Sequence, residues 1–276
     1  MYLYTFNAFT TPCELHIDAQ NQSIADEIAQ NIIHKTKELE FRFSYFREDS
    51  ELYLLNHRTY NTHNISDELA QFIQISLFYT TMTQGAFDIA LAGTLKEISK
   101  APTWGDYQLR KQELAPYASS HHLELDGNTL TFSNSVTKID LGGLVKEYAV
   151  DQAVLYLQSM GVTSALVNFG GDLAAFGECH NLPWRVGIQN PDASHENLRE
   201  IELHNASLCT SGHSKRFSEI EAQKVSHIIR SNAVEEKYTQ VSIMAPTTID
   251  AGIWSTALLV NPQLALPSHV QLVHAL

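Results

Sequence analysis

Residues 138–177 read KIDLGGLVKEYAVDQAVLYLQSMGVTSALVNFGGDLAAFG. A short β-rich run ends at Asp140, Gly142 and Gly143 let the backbone approach a ligand closely, and Lys146 falls in the first turn of the helix that follows. The free amides of that helix start and the lysine charge then face one point, which suits an anion. The apolar run Ala165–Phe169 closes on a second glycine turn, Gly170-Gly171-Asp172. Glycine pairs beside a helix are also ordinary connectors. The spacing matches neither GxGxxG nor GxxxxGK[ST], so this is not a Rossmann or P-loop site.

Upstream, residues 2–19 alternate as one or two strands broken near Thr10-Thr11-Pro12, and a helix follows with Ser23 and Asp26 as a capping box. A second helix is expected over 66–83 with Gly85 as its stop. Residues 101–118, with two prolines and Gly105, read as a meandering insertion, and LELDGNTLTFSN as a hairpin around Asp126-Gly127. Downstream, alternating runs at 184–188, 200–203, 225–229 and 240–244 suggest antiparallel strands, and a last helix is expected over 247–259. Strands without regular βαβ alternation, with several helices, predict an α+β fold. No repeat or linker divides the chain, so 1–276 reads as a single domain.

The chain has 276 residues, 44% of them hydrophobic, enough for a sizeable core. Its 18 Lys and Arg stand against 31 Asp and Glu, a net charge of -13 that repels a phosphate backbone and argues against nucleic-acid binding. Cys13, Cys179 and Cys209 form neither a disulfide framework nor a CxxC site. The 13 histidines show no HxxxH or HExxH pattern, and Ser211-Gly212-His213 lacks the GxSxG elbow of a nucleophile. No signal, anchor or membrane-spanning run is visible, which makes the cytoplasm the default expectation.

Taken in order, AFTTPCELHI (8–17), RFSYFREDSELYLLN (42–56), GAFD (85–88), DLGGLVKEYAVDQA (140–153), ALVNFGGDLAAFG (165–177), TSG (210–212), SHII (226–229) and APTTIDAGIWSTALLV (245–260) resemble the flavin transferases of the ApbE family. The resemblance spans nearly the whole chain. It implies mixed and antiparallel sheets flanked by helices in two interlocked lobes, and magnesium-dependent transfer of FMN from FAD to a Ser or Thr hydroxyl of an acceptor flavoprotein, with AMP released. It implies further that Asp140, Lys146, Ala86, Phe87, Asp88 and Ile228 or its neighbour Ile229 contact FAD, with Phe9 and Phe46 where the family often has methionine and tyrosine. The Gly143 carbonyl and Thr256 would face the metal, and residues 210–212 would form a loop near the flavin. No residue is assigned a catalytic role. Because family members are often exported and membrane-anchored, a periplasmic location is the alternative.

The chain departs from the family pattern at three points. Gly252 stands where an aspartate one helical turn before Thr256 would reach the same ion. Asp250, two residues earlier, is rotated about 200° on a regular helix and is a poor substitute; Ser255 stands where some members have a second acid. Glu147 follows the site lysine where a small residue is common, and Arg230-Ser231 replaces an Asp-Pro turn. A catalytically impaired FAD-binding protein, or a hydrolase yielding FMN and AMP, is the rival expectation.

Overall fold

A computed structural model describes residues 1–193, 195–213, 217–221, 223–226 and 237–276, with the side chains of 217, 218 and 224–226 left aside. In chain order the strands and helices are β1 (Tyr2–Ala8), β2 (Thr11–Ile17), α1 (Gln22–Arg42), α2 (Glu51–Asn56), β3 (Thr62–Asn64), α3 (Asp67–Met82), α4 (Ile89–Thr94), α5 (Trp104–Leu114), β4 (Leu123–Asp126), β5 (Thr129–Phe132), α6 (Val145–Ser159), β6 (Ala165–Phe169), β7 (Asp172–Phe176), β8 (Trp184–Gln189), β9 (Asn197–Leu203), β10 (Ala206–Gly212), β11 (Phe217–Ile220), β12 (Gln223–Ser226), β13 (Gln240–Ala245), α7 (Thr248–Val260) and β14 (Gln271–Ala275).

Seven strands form one antiparallel sheet in the order β1-β2-β6-β7-β10-β13-β14. Its two faces are built by the period-two alternation of the strands. Val167, Phe169, Ala174 and Phe176 point to the side of α1, α6 and α7, whereas Leu166, Leu173 and Ala175 pack with Trp184, Ile188, Ile201 and Leu203 of the β8-β9 ribbon. Covered on both faces, β7 is buried at all five positions, which explains the unbroken apolar run Leu173–Phe176 that follows Asp172. Helix α7 is buried at ten of its thirteen positions because it is wedged between α6 and the β10-β13 part of the sheet. The β3-β5-β4 sheet, a β11-β12 ribbon and helices α2 to α5 complete the fold, and this α+β arrangement is the expected class.

Local expectations fail where tertiary partners replace local ones. The run ending at Asp140 is no strand: Ile139 exchanges hydrogen bonds with the Asn56 side chain (Nδ2 to the Ile139 carbonyl, 2.8 Å; Ile139 amide to Oδ1, 2.8 Å), so side chains rather than a neighbouring strand satisfy it. Asn21, not Ser23, caps α1, and Asp26 instead accepts from Tyr4 Oη at 2.6 Å. The supposed insertion contains α5, started by Thr103, whose hydroxyl accepts from the Asp106 amide. Residues 210–212 are not a loop but the end of β10.

Candidate functional site

The segment before α6 is fixed from both sides. Gly93 of α4 lies so close beneath it that a Cβ there would sit 2.4 Å from the Ile139 carbonyl carbon. The Asp140 amide donates to the Ile89 carbonyl at 2.9 Å, and the Thr94 hydroxyl donates to the Lys138 carbonyl and accepts from the Lys138 amide. So held, the Asp140 carboxylate pairs with Lys96 Nζ at 2.6 Å and accepts from the Gly142 amide at 3.1 Å. Lys96 carries no signal in the surrounding sequence and emerges only from the packing of the turn after α4 against this segment.

Helix α6 begins without a side-chain cap, leaving its first turn to charged groups. Lys146 Nζ lies 3.2 Å from Glu147 Oε1 and pairs also with Asp172, at the start of β7. One cation between two carboxylates leaves this cluster with one net negative charge. Asp172 enters because the glycine turn before it is forced: Gly170 has φ +67°, and a Cβ there would meet Thr11 Oγ1 at 2.0 Å. Across from Glu147 stands α7, where Gly252 has room for no side chain: a Cβ would lie 2.5 Å from Glu147 Cγ. One turn further on, Ser211 Oγ joins Ser255 Oγ (2.8 Å) and Thr256 Oγ1 (3.0 Å), and Ser255 donates to the Gly252 carbonyl at 2.9 Å.

The aromatic residues lie around this centre. Phe9 and Thr10 form the two-residue turn between β1 and β2 with φ of 53° and 59°, a left-handed pair that matches strand twist but is uncommon for such side chains. The turn lies beside Gly170, whose amide donates to the Pro12 carbonyl at 3.0 Å. Phe46 is 58% exposed, with Lys96 and Lys100 Nζ 5.7 and 5.2 Å from its ring centre. Ala86 and Phe87 are buried, and a Cβ on Gly143 would lie 3.3 Å from the Phe87 ring. The Asp88 carboxylate is engaged in structure: it caps α4 through the Ala90 and Leu91 amides and accepts from the Ser120 amide and hydroxyl. Ile228, with His227 and Arg230-Ser231, lies outside the described residues.

Two further acids define what α7 offers. Asp151 of α6 accepts from the Thr248 and Ile249 amides at 2.7 and 3.1 Å, tying α6 to the start of α7. Burial pushes its carboxyl above the ordinary 3.8 despite those donors, and Glu147 adds to the rise. Asp250 is turned away from Glu147, accepting from Tyr79 Oη at 2.5 Å and Thr247 Oγ1 at 2.9 Å, with His269 at 3.6 Å. Buried Cys209 has its thiol raised well above 9.0 by desolvation first and Glu147 second. Among the described residues no three His, Cys, Asp or Glu side chains cluster as a metal site. No described helix is long and apolar enough to cross a membrane. A groove of 440 Å³ between α1 and α6, lined by residues such as Lys35, Leu39 and Gln152, contains none of the expected site residues.

Comparison with known proteins bears on the family and the fold. The chain is 25% identical over 259 residues to the FAD:protein FMN transferase of Vibrio cholerae, covering 87% of this chain and 76% of that protein. It is also 25% identical to the enzyme of the same name from Escherichia coli K12, covering 88% and 73%. In fold it resembles the crystal structure of the ApbE protein from Thermotoga maritima, with a TM-score of 0.84, 23% identity and coverage of 94% and 86%. The flavin transferase ApbE from Vibrio cholerae superposes with a TM-score of 0.81 at 22% identity, covering the same shares. The ApbE family profile matches residues 9–272, and the chain therefore belongs to the ApbE family.

Proposed function

We propose that this protein is a flavin transferase that binds FAD at the Asp140–Glu147 segment and moves FMN from FAD to a Ser or Thr hydroxyl of an acceptor flavoprotein. The observation that carries the reading is the placement, within one family fold, of Asp140, the Gly142-Gly143 turn and Lys146 at the uncapped start of α6. The names of the Vibrio and Escherichia relatives support the same chemistry.

Lys146 brings positive charge to an FAD diphosphate, and the positive end of the α6 dipole adds to it. The ligand must share Lys146 with Asp172 and Glu147, which hold its ammonium in place. Asp140 is positioned by Lys96 and the Gly142 amide as an acceptor for nucleotide donors. Exposed Phe46 and the Phe9 turn offer aromatic faces to the flavin, and buried Phe87 backs the Gly143 backbone beside Ala86 in the same loop. Ile228 keeps its proposed flavin contact on the resemblance alone. In the transfer, the acceptor hydroxyl gives its proton to solvent and forms a new bond to the FMN phosphorus while the bond from that phosphorus to the bridging oxygen breaks, the oxygen leaving with AMP.

The residues fit magnesium: the Lys146 cluster keeps an unbalanced negative charge, and the Gly143 carbonyl and Thr256 hydroxyl are hard oxygen donors. When bound, magnesium supplies charge against the diphosphate and the departing AMP. Incubating the full chain with FAD, magnesium and a flavin-acceptor domain should yield covalent FMN and one AMP per transfer; absence of both defeats the enzymatic reading. A second reading, an FAD-binding protein without turnover, is favoured by Gly252 alone and predicts calorimetric FAD binding without AMP. Release of free FMN and AMP without acceptor would mark a hydrolase.

A further inference from the structure

We infer that Glu147 of α6, rather than any residue of α7, supplies the carboxylate that holds the divalent cation; this rests on the magnesium reading above. Three observations converge on it. The space that a side chain at position 252 would occupy is filled by Glu147: a Cβ on Gly252 would lie 2.5 Å from Glu147 Cγ and 3.2 Å from both Cδ and Oε1. Glu147 is only 5% exposed, and its Oε2 has no hydrogen-bond partner among the described residues. A buried carboxylate oxygen without a donor is costly, and a cation relieves that cost more fully than a water would.

The third observation is charge and donor type. Lys146 lies between Glu147 and Asp172, so the cluster keeps one negative charge that no described cation offsets. Thr256 lies one turn beyond Gly252 on the same face of α7, and its hydroxyl is linked through Ser211 to Ser255. Carboxylate, hydroxyl and carbonyl oxygens suit magnesium or manganese. The two departures at 147 and 252, unrelated along the sequence, are in contact in the fold. Together they amount to a carboxylate moved from one helix to its neighbour, with the charge of the site kept.

The test is Mn²⁺ binding to the full chain, read from the paramagnetic resonance of free Mn²⁺, with Mg²⁺ as competitor and with and without FAD. Glu147→Gln should weaken Mn²⁺ binding by at least about tenfold, since even residues behind a metal ligand cost that much. Glu147→Gly should lose binding likewise, and adding Gly252→Asp to it should restore affinity to within about threefold of the parent. Thermal melts verify folding, and if E147Q does not fold, the E147G and E147G/G252D pair decides alone. Mn²⁺ affinity of the variants equal to the parent's would overturn the inference and leave Glu147 as the counter-ion of Lys146. A parent that binds FAD but no Mn²⁺ would also overturn it while sparing the flavin site. Intact Mn²⁺ binding without FAD fluorescence quenching would count against the flavin reading and not against Glu147.

Discussion

The two sides of the site divide their chemistry unequally. The α6 side carries Asp140, Lys146 and Glu147, each held by a charged partner, whereas the facing stretch of α7 offers Gly252 and the hydroxyls of Ser255 and Thr256. The acid of α7, Asp250, faces Tyr79 and His269 instead. What a site can bind therefore depends on where side chains converge and not on which helix bears them. The α6 side is electrostatically loaded, and the α7 side is shaped to receive it.

The largest blow to this division is Lys146→Met. It removes the cation from between Glu147 and Asp172 and leaves two carboxylates facing each other with little solvent, which costs about 3–5 kcal/mol when a buried pair is broken. Urea unfolding should show the loss, and added Mg²⁺ should recover part of it; an unchanged midpoint would mean that the cluster is solvated. Next comes Gly252→Asp alone, which places a side chain against Glu147 and doubles the local negative charge. Overpacking costs about 1–3 kcal/mol, and Glu147→Gly should relieve it in a double-mutant cycle. A stable G252D with improved turnover would instead show that Glu147 leaves the space readily.

The pH response probes the link between the two sides. Asp151 holds the start of α7 with its carboxyl raised by burial, with Glu147 charged nearby and Tyr79 on α3 also within its field. A group whose folded value lies above its unfolded one adds stability that is complete below the ordinary 3.8 and is lost as pH rises through the raised value. The stability difference between the parent and Asp151→Asn should therefore shift against the parent from acid toward neutral pH in paired urea titrations. A difference independent of pH would remove burial as the dominant influence on Asp151.

The same unevenness governs what could be read from the chain. Asp140, the glycine pair and Lys146 were legible because their geometry is local: a turn, a helix start and a charge within a few residues. Strands β1, β2, β4, β5, β6, β8, β9 and β13, with α3 and α7, are legible from periodicity and turn signals, whereas β3, β7, β10, β11 and β14 are not. Lys96, Asp172 and the contact of Glu147 with Gly252 were not, because each depends on elements distant in sequence being packed together. α5 was hidden by the prolines and glycine around it, and the Ile139 run imitated a strand because a buried extended segment has the same apolar signature whether side chains or strands satisfy it. The rotation of Asp250 away from the site followed from helix periodicity alone, and the structure agrees.

The smallest expected effect on the fold belongs to Phe46, at the outer edge of the loaded side. Its ring is 58% exposed, edge-on to Tyr45 at 5.1 Å and flanked by Lys96 and Lys100. An aromatic residue this exposed contributes little to folding, so Phe46→Ala should change unfolding free energy by no more than about 0.5 kcal/mol. If the ring stacks on the isoalloxazine, the same substitution should weaken FAD binding about three- to tenfold, the range of one aromatic contact, while Phe46→Tyr keeps it. Tryptophan and flavin fluorescence titrations separate the two quantities. Equal FAD affinity in F46A would move the flavin toward Phe9 and the β1-β2 turn, on the sheet side of Lys146.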